Sequence, residues 1–329
     1  MANEMWGVKL AMLVVGLLVM VPETTQLNVD HPLFSVVQRV NLEAGPFLGL
    51  VISSGRDEKI LINSTYFTPH TSIPSLTISG RKFNIGKFND VPAIYVLAGE
   101  PLANVGVTVQ ILLDTFRITG VINYGAAATV SNKVFIADVV VPSQVAYTGS
   151  WSWQNSADSD SLKSTASLVF GDYNLPEAGE NSLGVVYGNS VPIYTSTSSK
   201  QNKAYWINVH SDWVQLASQI NFGERPTVHI GSDVKIGTAD IYVSNVAYAK
   251  FLNSKLGVTA VETESAAVVT TAIANGVPHI VFRGTSNRPG SSSDKRLSEV
   301  TAKNVLNTVA KFVDAAYPMP AIRKYSIVN

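Results

Sequence analysis

Three consecutive stretches decide how this chain folds: Val91-Pro-Ala-Ile-Tyr-Val-Leu97, then Val105, Val109, Leu112, Leu113 and Phe116, then Gly120-Val-Ile-Asn-Tyr124. A short apolar run precedes apolar residues at helical spacing, and a second short apolar run closes the segment. That is the signature of strand, helix, strand. Strands joined through a helix run parallel, so the segment predicts a crossover unit of an α/β sheet. Toward the N-terminus, Phe47-Leu-Gly-Leu-Val-Ile52 reads as a further buried strand. Toward the C-terminus, Val134-Phe-Ile-Ala-Asp-Val-Val-Val141 reads as a strand, and the spacing of Trp206, Val209, Trp213, Leu216 and Ile220 predicts a helix. Strands at Val228-His-Ile230, Val258-Thr-Ala-Val261 and His279-Ile-Val-Phe282 then alternate with helices over about 244–256, 264–275 and 295–316. The expectation is one α/β domain over residues 26–329, with a central mixed, mostly parallel sheet flanked by helices.

Residues 149–203 break the alternation. Gly, Ser, Asn and Asp crowd there around Trp151, Trp153, Tyr173 and Tyr187 without a sustained period, which predicts an insertion or lid. Beyond the cluster Thr195-Ser-Thr-Ser-Ser199 there is no low-complexity tract, internal repeat or heptad pattern.

The chain has 329 residues, 46% of them apolar, enough for a large core. Its 24 Lys and Arg cancel 24 Asp and Glu, so no global field draws it to nucleic acid or to an acidic membrane. Cysteine is absent, which excludes disulfides, thiolate metal sites and cysteine nucleophiles. At the N-terminus, Lys9 precedes the apolar run Leu10–Val21, which ends at Pro22 and polar residues. The run is short for a bilayer span and has the pattern of a secretory signal peptide over residues 1–25. The sequon Asn63-Ser64-Thr65 suits the same route, and the expected location is extracellular or vacuolar.

None of the five histidines forms an H-E-x-x-H or H-x-E pattern, and G-x-S-x-G, G-x-G-x-x-G and Walker A sequences are all missing. Zinc hydrolysis and Rossmann or P-loop nucleotide binding therefore have no support. Against that background, Val261-Glu262-Thr263-Glu264-Ser265 stands out, with two carboxylates between an apolar strand and an apolar helix. Alternation would place Glu262 and Glu264 on one face at the carboxyl end of the strand, where α/β sheets bind ligands. An acidic helix cap is the other reading. Gly55-Arg56-Asp57-Glu58, just past the first strand, reads as a solvated turn or a third acidic site element. Arg283-Gly-Thr-Ser286-Asn287-Arg288, after the last strand, offers guanidinium, hydroxyl and amide donors.

Together these segments resemble the nucleoside phosphorylase and methylthioadenosine nucleosidase superfamily, and within it the plant bark storage protein branch. The similarity runs from about Phe47 to Ala316. Gly49 to Glu58 is similar to the family's first strand and active-site turn, Ala98-Gly99-Glu100-Pro101 to its nucleophile-side loop, and Asn123-Tyr-Gly125-Ala126-Ala127 to its Gly-Ser segment. Thr238-Ala-Asp240-Ile-Tyr242 resembles the base-stacking segment, Val261-Glu-Thr-Glu264 the ribose-binding V-E-M-E, and Arg283 to Asn287 the base-binding R-x-x-S-D.

The resemblance implies cleavage of a purine-type nucleoside at its glycosidic bond, through a cation-like sugar that carboxylates stabilise. Glu264 would hold the ribose hydroxyls, Glu262 would support the fold or orient its neighbours, and Thr263, Gly99, Gly125, Arg283 and Ser286 would line the substrate site. Glu58, or less favoured Asp57, would position an attacking water, whereas Arg56 or Lys59 would bind phosphate if phosphate is the co-substrate. Both nucleophiles stay open. Tyr242 would stack on the base or else belong to the core. No metal or organic cofactor is expected, and a homo-oligomer, often a dimer, is implied. The chain departs from the pattern at Asn287, where the family has an acid, at Thr263 in place of Met, and at Ala126 and Ala128 in the Gly-Ser segment. An amide donates a hydrogen bond but delivers no proton. Two functions follow: nucleoside phosphorylase or nucleosidase, with modified nucleosides such as cytokinin ribosides among the substrates, or a bark or vegetative storage protein with a degenerate nucleoside site. A nucleoside-binding sensor without turnover is a third.

Overall fold

A computed structural model describes residues 27–154, 167–169, 185–292 and 294–318. The signal segment expected over 1–25 lies outside the described residues, as does Tyr173. Wholly buried apolar runs set the central strands, as expected for a sheet covered on both faces. Strand β1 (Phe47–Ile52) is buried at every residue. It pairs in parallel with β5 (Val91–Leu97) on one side and β6 (Ile118–Thr129) on the other. The crossover between these neighbours is helix α3 (Leu102–Thr115), which buries Val105, Val109 and Leu112. Strand, helix and strand thus stand where the spacing put them.

Ahead of α3 come α1 (Phe34–Glu43), α2 (Gly55–Ile62) and the antiparallel strands β2 (Phe67–Pro69), β3 (Ser75–Ile78) and β4 (Arg81–Phe88). Asn89 and Asp90, both at positive φ, turn β4 into β5, the backbone that two-residue hairpins require. After β6 the chain continues through β7 (Val139–Tyr147), β13 (Ile207–Asn208), α4 (Ser211–Gln219), β14 (Val228–Thr238), α5 (Val246–Leu256), β15 (Ala260–Glu262), α6 (Ser265–Ala274), β16 (His279–Asn287) and α7 (Lys295–Ala316). Most paired residues of the large sheet lie in parallel ladders. Antiparallel contacts occur at its margins and where β15 meets β6 and β16 meets β7. Those contacts close a ring: β6 pairs β16, β16 pairs β7, β7 pairs β14, β14 pairs β15, and β15 returns to β6. One apolar cluster lies under α2, α4 and α7, and a second joins α1, α3 and Ala267 and Val268 of α6 on the other face.

Three expectations need correction. The strand expected over Val134–Val141 starts only at Val139. Asp138 accepts a hydrogen bond from the Phe135 amide at 3.0 Å and folds 134–138 into a turn. The strand then runs through Pro142, which sits beside the register shift of β14 between Gly231 and Lys235. A proline is tolerated at such an irregularity. The helix expected from Trp206 onward begins at Ser211, because residues 207–208 pair with β7 and Trp206 lies under the Lys235 ammonium at 4.7 Å. Residues 55–58 form the first turn of α2 instead of a solvated turn, with Ser54 as its extended N-cap. Within 149–203, the described residues form two small antiparallel sheets: β8 (Trp151–Gln154), β9 (Ser167–Val169) and β10 (Val185–Gly188), and β11 (Val191–Thr195) with β12 (Ser198–Ala204).

Candidate active site

Beyond the carboxyl ends of β1, β6, β15 and β16, and beside the loop that follows β14, lies a cavity of about 330 Å³. Its floor is organised by Arg283, which enters from β16 and is wholly buried. Nη2 meets Glu262 Oε2 at 2.7 Å and Glu264 Oε2 at 3.0 Å. Nε donates to Ser265 Oγ at 3.1 Å, Nη1 to Ser53 Oγ, and Nη2 also to Asn123 Oδ1. A buried cation is tolerable when its donors are satisfied in this way. Gly125 permits the approach: a Cβ there would stand 2.0 Å from Ser53 Oγ and 3.0 Å from Arg283 Nη1.

The two glutamates reach the guanidinium by different routes. Glu262 ends β15, and its Oε2 accepts from the amides of Glu264 at 3.0 Å and Ser265 at 2.9 Å. Its Oε1 accepts from Thr238 Oγ1. The strand alternation expected to carry Glu264 stops at Glu262. Glu264 is the N-cap residue of α6 and turns back to the same cation. Ser53 Oγ donates to Glu264 Oε2 at 2.6 Å. Burial, reinforced by Glu262, pushes the Glu264 carboxyl above its usual range, against the pull of Arg283 and Ser53. Burial alone would favour neutral guanidine, but Glu262 and Glu264 outweigh it and hold Arg283 above its ordinary value.

The helix phase of α2 separates the two acids after β1. Asp57 is buried and lines the cavity, whereas Glu58 is half-buried and lines a neighbouring cavity of about 550 Å³ with Arg81 and Lys82. Ser54 Oγ donates to Asp57 Oδ2 at 2.6 Å. Burial raises the Asp57 pKa, while Ser54, Arg283 and Arg56 oppose the rise. Arg56 and Lys59 are exposed on α2 and do not line the cavity, and the charge of Lys59 acts on Glu299 of α7.

Other expected residues gather here. Ser286 and Asn287 line the wall, with Ser286 Oγ donating to Asn287 Oδ1 at 3.2 Å. Tyr242 borders the cavity but is 78% exposed, so it is not a core aromatic. Its hydroxyl donates to Glu100, whose hydrogen bond and charge push the phenol up. Thr263 Oγ1 donates to the other Glu100 oxygen. Gly99, at positive φ, lines the neighbouring cavity with Glu58. Asp240 accepts from the Leu102 amide at 2.8 Å at the start of α3. Ser53, Asn123 and Glu100 stand inside segments that carry the resemblance, but none was singled out as a site residue, because each matters through contacts distant in sequence. Asp57 had a local signal in the capping spacing Ser54-Gly-Arg-Asp57.

The cavity wall holds four carboxylates, Asp57, Glu100, Glu262 and Glu264, against the single cation Arg283. Such a wall stabilises developing positive charge and repels anions. Among the described residues no group of three or more acids or histidines is arranged to hold a metal ion.

Residues 48–317 match the family model described as the phosphorylase superfamily. The chain is 34% identical over 290 residues to bark storage protein A of Populus deltoides, covering 84% of this chain and 90% of the relative. Bark storage protein B of the same species is 33% identical over the same length and coverage. The fold is similar to that of the Streptococcus pneumoniae MTA/SAH nucleosidase in complex with 8-aminoadenine, at TM-score 0.58 and 16% identity, covering 82% of this chain and all of that one. It is also similar to the Helicobacter pylori futalosine hydrolase, at TM-score 0.55 and 17% identity, covering 82% and 95%.

Proposed function

The chain belongs to the phosphorylase superfamily, and from that premise we propose that it hydrolyses the N-glycosidic bond of a purine-type nucleoside, with water as the nucleophile. The observation that carries this reading is the charge of the cavity wall, four carboxylates against one cation already engaged by two of them. A phosphate anion finds no uncommitted cation among these lining residues, and Ala126 presents a methyl group where the family pattern has a hydroxyl. Water carries no charge and meets no such barrier.

In this reading Asp57 receives the proton of the attacking water as the water oxygen bonds to C1′. Its raised pKa makes it a better base than an ordinary surface carboxylate. The bond from C1′ to the base nitrogen breaks, and its electron pair leaves on the base. Glu264, with Ser53, holds the ribose hydroxyls and faces the developing positive charge. Arg283 keeps Glu262 and Glu264 in place. Tyr242 covers the base, and Ser286 and Asn287 give hydrogen bonds to it. Asn287 transfers no proton, so leaving-group activation depends on hydrogen bonding and on solvent. Modified nucleosides such as cytokinin ribosides belong to the substrate class.

The test is to incubate purified protein with adenosine, inosine, methylthioadenosine and cytokinin ribosides, with and without phosphate, and to identify the sugar product. Free base and free ribose at a rate indifferent to phosphate are expected, with a loss of about 100-fold or more in Asp57→Asn. Asn287→Asp should accelerate release by about tenfold or more by restoring a proton donor. Ribose 1-phosphate as the product would overturn hydrolysis. A storage role is the second reading, favoured by the identity to two bark storage proteins. Base release by neither the wild type nor Asn287→Asp would transfer the case to it.

A further inference from the structure

In the proposed hydrolysis the side chains that meet the base are Tyr242, Ser286 and Asn287, and none of them is a carboxylic acid. Asn287 has its Oδ1 engaged by the Ser286 hydroxyl at 3.2 Å, which leaves its amide hydrogens as hydrogen-bond donors with no proton to give. Arg288, next in the chain, turns away from the cavity and donates to the Ser131 and Val134 carbonyls at 3.0 and 3.1 Å. The cavity wall therefore keeps four carboxylates against Arg283, three negative charges in excess. A neutral purine nucleoside draws little from that excess and leaves slowly without a proton on its base. The cavity mouth carries the same charge preference. Glu100 accepts from the Tyr242 hydroxyl with one oxygen and from the Thr263 hydroxyl with the other, so it fixes the Tyr242 ring at the cavity and places a carboxylate on its hydroxyl. The face of a tyrosine attracts a cation, and a neighbouring carboxylate adds to that attraction.

We infer that the substrates are nucleosides whose base already carries a positive charge, of the N-alkylated purine class. The inference rests on the hydrolysis proposed above and names its substrate. The water oxygen bonds to C1′ and its proton passes to Asp57, while the bond from C1′ to the base nitrogen breaks. The electron pair of that bond stays on the base and cancels its charge, so the base leaves neutral and takes up no proton. The products are ribose, a neutral alkylated purine and one proton, held first by Asp57 and then by solvent. During the step the positive charge moves from the base, under Tyr242, toward C1′, beside Glu264, and never leaves the acidic wall. Arg283, paired with Glu262 and Glu264 at 2.7 and 3.0 Å, is neutralised and does not oppose the incoming charge. For such a base the amide of Asn287 is sufficient, since it holds the base by hydrogen bonding and no proton is wanted.

The test compares substrates that differ by a methyl group and a charge: 1-methyladenosine with adenosine, and 7-methylguanosine with guanosine, at a mildly acidic pH where both methylated bases are cationic. Base release is corrected for the spontaneous cleavage of each compound. Acid catalysis contributes about 100- to 10,000-fold, so a site without it should favour the cation in kcat/KM by about 100-fold or more in at least one pair. The greater intrinsic lability of a cation does not explain the second readout: Asn287→Asp should raise kcat/KM about tenfold for the neutral member and leave the methylated member unimproved. Glu100→Gln, which removes a charge and keeps an acceptor, should cut the advantage of the cation about tenfold, chiefly through KM. Equal kcat/KM within both pairs, or an equal gain for both members in Asn287→Asp, would overturn the charge selection and leave hydrolysis standing. A wild type that releases base from none of the four would defeat the hydrolase reading, and isothermal calorimetry would then decide the selection by itself. Tighter binding of the cation by about tenfold or more, reduced in Glu100→Gln, would uphold it, and equal binding within both pairs would overturn it.

Discussion

Arg283 shows how one residue ties the site to the stability of the fold. Its guanidinium is the counter-charge of Glu262 and Glu264, both almost wholly buried. Removing one partner of a buried ionic group leaves the other charges uncompensated, at a cost of about 3–5 kcal/mol. Arg283→Met should therefore lower the unfolding free energy, read from urea titration, by an amount in that range, and adding Glu264→Gln to it should restore part of the loss. A midpoint equal to that of the wild type would show that the carboxylates do not depend on the cation. Glu262 and Glu264 were legible in the sequence because charges embedded in apolar runs demand partners, whereas Arg283 was readable only as a donor just past the last expected strand and through the resemblance. Asn123, Ser53 and Thr238 lie in segments that carry the resemblance, but their individual roles were not legible, since small polar residues are unremarkable until distant segments meet. The choice between Asp57 and Glu58 turned on helix phase: a solvated turn gives no reason to prefer Asp57, whereas the helix buries Asp57 with Leu61 four residues on.

The element that settles this choice is α2, and Ser54 fixes where it begins. Ser54 has extended backbone, its Oγ accepts from the Asp57 amide at 3.4 Å, and the hydroxyl donates to Asp57 Oδ2. Loss of such a cap costs about 1 kcal/mol. Ser54→Ala should show that loss in urea unfolding. It should also raise the Asp57 pKa further, because the group that opposes burial is gone. In a pH profile of base release, the acid limb would then move to higher pH. An acid limb that stays in place would mean that Ser54 caps the helix without tuning the carboxylate. Elements with one strong period, such as α3, α7 and β1, were readable close to their true limits. Strand β7 was not, because its proline is accommodated by an irregularity in β14, a neighbour far along the chain. Helix α4 was overextended because Trp206 and Val209 continue its apolar spacing while belonging to the segment that pairs with β7.

At the scale of the whole molecule, the sequence indicated a mixed, mostly parallel sheet, but closure of the ring through β15 with β6 and β16 with β7 depends on short antiparallel contacts with no local pattern. The fold also buries several phenols. Tyr95, Tyr124 and Tyr205 are nearly or fully buried, and burial is the first cause that raises each above the usual tyrosine value. In the unfolded chain these groups ionise near pH 10. Above that pH the native state holds more protons than the unfolded state, so stability falls as pH rises. Each phenol contributes a slope of at most about 1.4 kcal/mol per pH unit, and three approach about 4 kcal/mol per unit. The Tyr95 contribution levels off near pH 12, where its folded form begins to ionise. Against a typical total of about 5–15 kcal/mol, this slope should unfold the domain within a few units above pH 10. Urea midpoints measured from about pH 9 to about pH 12 should fall steeply, with tyrosinate absorbance rising together with loss of far-ultraviolet circular dichroism. Midpoints that stay level, or tyrosinate forming without loss of structure, would show that the three phenols reach solvent in the folded protein.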